Sequence, residues 1–309
     1  MHRKILTPVA ALAAAGAAFW FLTGAEGLDA QALASVEPGD AARGERVFWA
    51  GGCTSCHARP QAQGDAKLEL AGGLELTTDF GTFVAPNISP DPDDGIGAWS
   101  EADFANAMLR GVSPEGAHYY PAFPYTSYAR METQDAADLF TFIKTLPPVS
   151  GAAGEHQLSF PFNIRRGLGL WKMLYLNEEP VLALGQDASE ALRRGQYLVE
   201  GPGHCGECHT PRSFTGGLEK GKWLAGAPSA EGNGIVPNIT PDESGIDSWS
   251  ASDIAYYLES GFTPDFDSVG GAMAAVQANM AKLPAEDREA IAAYLKSVPP
   301  RPNGYPASQ

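Results

Sequence analysis

The spacing of apolar side chains along the chain predicts short amphipathic helices. After Ser100 and again after Ser250, apolar residues recur three and four positions apart, as they do on the buried face of a helix. An aspartate, Asp103 or Asp253, follows each serine by three residues, which is typical of a capping box at the start of a helix. No alternating pattern of comparable strength predicts a strand.

Further apolar segments predict the remaining helices in pairs. Helices are expected at 41–50 and 191–200, each leading into a cysteine-containing motif. A last helix is expected at 134–146 and again at 285–298, and two prolines, which cannot continue a helix, follow each of them. The same series of predicted elements therefore occurs twice.

The two halves of the chain also repeat in sequence. RGERVFWAGGCTSCH at 43–57 matches RGQYLVEGPGHCGECH at 194–209, and the segment at 85–104 matches the segment at 236–254. Matches in the same order and at a nearly constant offset indicate duplicated domains.

We expect the first domain at 38–150 and the second at 190–301, with a short C-terminal tail at 302–309. The connector between them, at 151–189, contains FPFNIRRGLGLWKMLYL. This segment is too apolar and aromatic for a flexible linker, so it is expected to pack across both domains.

The first 25 residues are predicted to anchor the chain in a membrane. Basic residues precede 5–23, a run of 19 uncharged, mostly apolar residues. As a helix this run spans about 28 Å, close to the thickness of a bilayer core. A cleaved signal peptide is the alternative, but its AxA-like site at 32–34 lies well past the apolar run. We therefore expect residues 1–25 to form an uncleaved membrane helix, with the rest of the chain outside the cytoplasm.

Composition and charge narrow the classes of function. Nucleic-acid binding needs a cluster of basic residues, and the formal net charge of −16 argues against this function. An acidic surface keeps an exported protein dispersed, and it would also suit a basic partner. The 35 glycines and 24 prolines favour loop-rich domains with short helices.

All four cysteines lie in two CxxCH motifs. In such a motif each thiol can add to one vinyl group of a haem, and the adjacent histidine binds the iron. A zinc or dithiol site is the alternative, but zinc needs four ligands and each motif offers three. The predicted haem-attachment residues are Cys53, Cys56, His57, Cys205, Cys208 and His209.

At this point a family resemblance is visible. The chain resembles the dihaem cytochrome c family that includes the cytochrome c subunits of membrane-bound bacterial alcohol, gluconate and related dehydrogenases. The resemblance extends from Gly39 to Pro300. The segments that carry it are NISPDPDDGIGAWSEADF, HYYPAFPYTSYARM, RRGLGLWKMLYL, RGQYLVEGPGHCGECHTPR and PNITPDESGIDSWS.

The resemblance implies an all-α fold of two tandem class I cytochrome c domains, here preceded by the N-terminal membrane helix. It also implies two covalently bound haem c groups, with iron held by His and Met. The proximal ligands would then be His57 and His209.

In the second domain, the Met ligand is expected in the loop before the last helix. Met273 matches the family's ligand position, and Met280 is the alternative, which would otherwise be ordinary core packing. Met ligation raises the reduction potential and closes the iron to other ligands.

The second axial ligand of the first haem iron is harder to assign. Relatives carry Met in YPAMPY, where this chain has Phe123, which cannot bind iron. Met131, eight residues further on, is the predicted substitute. His118 is the second candidate and would give a bis-His haem, whereas Met108 lies at core spacing on a helix.

The leading hypothesis is that the protein is an electron relay between a partner dehydrogenase and the respiratory chain, on the periplasmic side of the bacterial cytoplasmic membrane. The haem carries the redox chemistry, and the protein tunes it. The alternative is a dihaem enzyme, of the peroxidase or thiosulfate-oxidising type, with one open iron. A haem-based sensor is disfavoured because no signalling domain accompanies the two repeats.

Overall fold

The computed structural model describes residues 3–230 and 234–305. In chain order the α-helices are α1 (Arg3–Leu22), α2 (Ala30–Ala34), α3 (Ala41–Ala50), α4 (Cys53–His57), α5 (Glu101–Arg110), α6 (Tyr125–Tyr128), α7 (Thr133–Ile143), α8 (Leu168–Tyr175), α9 (Glu190–Glu200), α10 (Gly206–His209), α11 (Ala251–Ser260), α12 (Met273–Met280) and α13 (Ala285–Ser297). The strands are β1 (Glu75–Thr78), β2 (Gly81–Val84), β3 (Gln157–Leu158), β4 (Ala227–Pro228) and β5 (Ile235–Val236). Short 3₁₀ helices lie at Gly64–Glu69, Arg165–Gly167 and Lys220–Lys222.

The predicted helix starts at Ser100 and Ser250 are confirmed. In α5 the Ser100 hydroxyl accepts a hydrogen bond from the Asp103 amide at 3.1 Å, and the Asp103 carboxylate accepts one from the Ser100 amide at 3.0 Å. Ser250 and Asp253 form the same pair of bonds at the start of α11. These reciprocal bonds satisfy amide groups that the first turn of a helix leaves without partners.

In each half, the helix that precedes the CxxCH motif crosses the last helix at a glycine. A Cβ at Gly44 of α3 would collide with the carbonyl oxygen of Asp138 in α7, and a Cβ at Gly195 of α9 would collide with that of Ala290 in α13. The helix axes can therefore approach more closely than any larger residue would permit. Each half builds its own apolar core around this crossing.

The all-α expectation needs one correction, since short strands interrupt the long loops. β1 and β2 pair antiparallel, with Glu75 opposite Val84, and β3 extends this sheet from the connector. In the second half β4 pairs with β5. Strands of two to four residues are too short to give a readable alternation, and their partners in tertiary structure define them. The fold is mostly helical.

The prediction of an N-terminal membrane helix over residues 1–25 is wrong. Within residues 3–230 and 234–305, no helix combines the length and the apolar character that a membrane crossing requires. Residues 12–22 of α1 are exposed, and Thr23, just after the helix, is buried. The Arg166 guanidinium lies 4.1 Å from the centre of the Trp20 ring, and its Nε donates to the Thr23 hydroxyl at 3.0 Å.

The connector contacts both halves of the molecule. The Lys172 ammonium in α8 donates to the carbonyl oxygens of Arg110 and Gly111 in the first half, at 2.6 and 2.8 Å. The neighbouring Trp171 donates from its indole nitrogen to the Thr215 carbonyl oxygen in the second half at 2.9 Å. These bonds fix the connector to both halves. The domain limits 38–150 and 190–301 stay a prediction, which limited proteolysis can check.

A buried aspartate joins α3 of the first half to the second half. The Asp287 carboxylate, with its side chain only 2% exposed, accepts from Arg46 of α3 at 3.1 Å and from Arg194 of α9 at 2.9 Å. Both guanidinium groups compensate the charge of a carboxylate that has lost its water. The two halves therefore meet in a specific register.

Candidate haem sites

The first CxxCH motif forms one short helix at the end of α3. Gly52, with φ 58°, turns the chain into α4, which carries Cys53, Cys56 and His57. His57 donates from its Nδ1 atom to the carbonyl oxygen of Pro86 at 2.9 Å. Because a carbonyl can only accept, this bond places the proton on Nδ1 and leaves the lone pair of Nε2 for a metal.

The second motif has the same arrangement. His209, at the end of α10, donates from Nδ1 to the carbonyl oxygen of Pro237 at 2.8 Å. Pro86 and Pro237 occupy the same place in the two repeats, each before an Asn-Ile pair. The duplicated sequence therefore gives two histidines in the same tautomer.

An asparagine holds each of these carbonyl-bearing loops, and the sequence analysis did not single it out. Asn87 donates to the Val149 carbonyl oxygen at 2.7 Å and accepts from the Ser89 amide at 2.9 Å. Asn238 makes the equivalent bonds in the second half, to Arg301 at 2.7 Å among others. The sequence does contain a signal for this role, because the asparagine occurs in the Pro-Asn-Ile segment of both repeats.

Burial keeps the ligand atoms of both motifs uncharged. Desolvation lowers the pKa of His57 and His209, so each imidazole is neutral, as a metal ligand must be. Desolvation raises the pKa of the Cys53 and Cys205 thiols to about 12. Because the thiolate is the reactive form of cysteine, thiols with such a raised pKa are poor redox nucleophiles.

The second half places Met273 and Met280 in different surroundings. Met273 is the first residue of α12 and lies half-buried beside the second core, which also contacts Cys205 and Trp249. Met280, at the other end of α12, is 3% exposed and packs inside that core. Met273 is thus the more accessible of the two thioethers.

In the first half, Phe123 occupies the place that Met273 has in the second. The Tyr119 amide donates to the Gly111 carbonyl oxygen at 2.7 Å, and the Val269 amide donates to that of Gly261 at 2.7 Å. Phe123 and Met273 each lie four residues beyond these matching bonds. The structure therefore agrees with the sequence analysis: the position that corresponds to Met273 is occupied in the first half by Phe123, which cannot bind iron.

Met131 lies at the other end of the same loop. It is 6% exposed and packs in the first core, against which Cys53 also packs. Its amide donates to the Tyr128 carbonyl oxygen, as the Leu283 amide does to that of Met280, so Met131 corresponds to Leu283 of the second half. Met131 thus occupies a position in the first core.

The two ring nitrogens of His118 differ in their hydrogen bonding. Its Nε2 donates to the carbonyl oxygen of Thr23 at 3.0 Å, whereas its buried Nδ1 has no hydrogen-bond partner among the described residues. Burial lowers the pKa of His118, which keeps the ring neutral. Met108 packs in the first core, on the buried side of α5.

Comparisons with known proteins identify the family. The cytochrome c family profile matches residues 41–147. A protein of Cereibacter sphaeroides described as "Diheme cytochrome c-type" is 56% identical over 299 residues, covering 97% of this chain and 99% of that relative. The chain belongs to the dihaem c-type cytochromes.

The cytochrome is also similar to larger dehydrogenase subunits. It is 36% identical to the cytochrome c subunit of the quinone-dependent alcohol dehydrogenase of Gluconobacter oxydans, over 92% of this chain and 61% of that subunit. It is 36% identical to the fructose dehydrogenase cytochrome subunit of Gluconobacter japonicus, over 86% of this chain and 54% of the subunit. The cytochrome therefore spans about half to three fifths of the length of these two relatives.

The family assignment confirms electron transfer as the activity and haem c, two groups per chain, as the cofactor. The residues present fit haem c, because each motif offers two thiols and a neutral imidazole with its Nε2 lone pair available. Bound haem supplies a one-electron iron couple. The polypeptide orients each imidazole through a prolyl carbonyl.

Proposed function

We propose that this cytochrome accepts single electrons from a partner dehydrogenase and passes them to an acceptor of the respiratory chain. One haem c would be attached to Cys53 and Cys56, and the other to Cys205 and Cys208. The observation that supports this most directly is the shared hydrogen bond from a CxxCH histidine to a prolyl carbonyl in both halves.

The axial ligands of the proposal are His57 and Met131 for the first iron, and His209 and Met273 for the second. The half-buried position of Met273 beside the second core supports its assignment. The assignment of Met131 is supported by its burial in the core against which Cys53 packs. A thioether ligand raises the reduction potential and favours electron transfer over reaction with oxygen.

A dehydrogenase is the proposed electron donor because relatives along most of this chain are cytochrome subunits of alcohol, fructose and gluconate dehydrogenases. The periplasm is the proposed location, where haem is attached to CxxCH motifs in bacteria. The net charge of −16 suits a protein that stays dispersed there and docks on a basic face of its partner.

Purification of the full chain from its own bacterium tests this function. We expect two covalently bound haems per chain, a dehydrogenase in the same complex, and reduction of both haems when that enzyme's substrate is added. A His209→Ala variant should retain reduction of the first haem and lose the low-spin spectrum of the second. A complex without a dehydrogenase, or haems that no co-purified enzyme reduces, would contradict the proposal.

The second candidate function is a dihaem enzyme with one open iron. Phe123 in the place of Met273 is the observation that favours it, since a missing ligand would let a small molecule reach the first iron. A high-spin ferric signal together with turnover of peroxide by the purified cytochrome would support this reading. Two low-spin haems without turnover would reject it.

A further inference from the structure

Helix α12, which begins at Met273, contacts the haem-attachment helix of the opposite half. Asn279 of α12 accepts a hydrogen bond from the Thr54 hydroxyl at 2.8 Å and donates to the Ser55 hydroxyl at 3.0 Å. Thr54 and Ser55 are the two residues between Cys53 and Cys56 of the first motif. Asn279 is 3% exposed, so these bonds lie inside the contact between the halves.

The reverse contact is also present. Thr126 and Ser127 of α6 in the first half donate from their hydroxyls to Glu207 at 2.9 and 2.7 Å. Glu207 lies between Cys205 and Cys208 of the second motif, and its other carboxylate oxygen pairs with Arg212 at 2.5 Å. Each half therefore forms hydrogen bonds with the residues that lie between the two cysteines of the other half's CxxCH motif.

These two contacts are related by the internal repeat. Ser127 directly precedes Tyr128, and Asn279 directly precedes Met280, which are the residues whose carbonyl oxygens accept from the Met131 and Leu283 amides. Ser127 and Asn279 thus occupy equivalent positions. The halves consequently face each other about an approximate twofold axis, with both attachment motifs at the contact.

The backbones of the two motifs also approach each other closely. A Cβ built at Gly51, two residues before Cys53, would lie 3.6 Å from the Cys53 sulphur and 3.7 Å from the carbonyl oxygen of Pro202. Pro202 is three residues before Cys205. A methyl group at Gly51 would therefore contact both the Cys53 sulphur and the chain that leads into the second motif.

Tyr128 lies between the two motifs. Its ring is 5.5 Å from that of His204, the residue before Cys205, with the planes at 77°. On its other side it belongs to the first core, against which Cys53 packs. Tyr128 of the first core thus contacts the residue that precedes the second attachment motif.

We propose that Asn279 and the pair Thr126 and Ser127 are positioning residues, which hold the two haem-attachment motifs face to face and thereby set the rate of electron transfer between the haems. A buried, hydrogen-bonded contact of this kind stabilises less than apolar packing would, but it specifies one register. A specific register is what transfer between two fixed haems needs. This inference rests on the proposed function, because it requires a haem on each motif.

Two variants test it, one for each side of the contact. Asn279→Leu removes the bonds to Thr54 and Ser55, and the double variant Thr126→Val with Ser127→Ala removes the bonds to Glu207. Asn163→Leu and Thr77→Val are the matched controls, since both residues are exposed and lie away from the motifs. If Asn279→Leu lowers the yield of folded protein, the variant Ser55→Ala is used in its place, because it removes one of the two hydrogen bonds that join Asn279 to the first motif.

The measurements are the rate of electron redistribution between the haems after flash reduction and the paired Soret circular dichroism signal that two coupled haems give. Loss of a buried hydrogen bond weakens docking by about tenfold, so we expect slower redistribution and a smaller paired signal in both variants. The controls should match the unaltered chain. If both variants keep two haems and match the unaltered chain in rate and signal, the inference is overturned.

The haem count separates this result from a failure of the proposed function. An unaltered chain with fewer than two covalent haems would contradict the function itself, and the inference with it. An unaltered chain with two haems that a dehydrogenase reduces, combined with variants that transfer electrons at the same rate, would contradict the inference alone.

Discussion

The Nδ1 atom of His57 donates a hydrogen bond to the carbonyl oxygen of Pro86 across 2.9 Å. The two residues are 29 positions apart, and Pro86 lies in the loop that follows strand β2. This bond fixes both the tautomer and the rotation of the imidazole, so Nε2 keeps one direction. The ligand direction of the first site thus depends on a loop that contributes no ligand.

Asn87 holds that loop, so Asn87→Ala should weaken the first site. Asn87 is 5% exposed and bonds to Val149, Gly151 and Ser89. Partners left buried and unsatisfied cost about 1–3 kcal/mol of folding free energy. We expect a denaturation midpoint lowered accordingly and a shifted reduction potential of one haem.

Asn163→Ala is the control for this experiment, because Asn163 is exposed in the connector. It should change the folding free energy by less than about 0.5 kcal/mol. Equal stability and equal potentials in Asn87→Ala and Asn163→Ala would show that the Asn87 loop does not support the histidine.

Met273→Leu should remove the sulphur–iron charge-transfer band of one haem in the near infrared. Leu keeps the volume of the side chain and lacks the thioether, so packing changes little. Met280→Leu is the matched control, since Met280 lies inside the second core and should retain the band. The opposite result, with the band lost only in Met280→Leu, would transfer the ligand role to Met280.

Met131→Leu should change the spectrum of the other haem. The variant keeps an apolar residue where the second half has Leu283, so the fold is expected to be retained. His118→Gln is the comparison, because it removes the ring whose Nδ1 has no hydrogen-bond partner among the described residues. A spectrum that changes in His118→Gln and not in Met131→Leu would assign a bis-His first haem and reject Met131.

Asp287→Asn should destabilise the contact between the halves and flatten its acid dependence. Burial alone raises the pKa of Asp287, but the hydrogen bonds and charges of Arg194 and Arg46 outweigh it and hold the pKa below its ordinary value of 3.8. A carboxyl with a lowered pKa in the folded state contributes stability above its unfolded pKa, and this contribution is lost as the pH falls through the folded pKa. The variant should lose about 3 kcal/mol at pH 7.

Denaturant titrations of Asp287→Asn between pH 7 and pH 2 check this prediction. The difference in unfolding free energy between the unaltered chain and Asp287→Asn should shrink as the pH falls below about 4. Asp65→Asn, at an exposed position, is the control and should follow the unaltered chain. A difference that stays constant down to pH 2 would show that Asp287 is not ionised in the folded protein.

The helices and the attachment motifs were predictable because their signals are local. The capping pair of Ser100 and Asp103, and the CxxCH motifs at Cys53 and Cys205, lie within a few residues of each other in the chain. The short strands were missed because strand β3, for example, has two residues and is defined by pairing with β2, more than 70 residues away. The prediction of a membrane helix was wrong because no helix within residues 3–230 and 234–305 combines the length and the apolar character that a membrane crossing requires.

The internal repeat, the two CxxCH motifs and the resemblance to an electron-transfer family can be read from the sequence, because two thiols and a histidine at fixed spacing form a local pattern. Tertiary structure alone decided which carbonyl orients each histidine and that Asn279 and Ser127 bind the opposite motif. Those contacts join residues from distant parts of the chain, such as Thr54 and Asn279, whose meeting depends on how two folded halves dock. No local pattern encodes such a docking geometry.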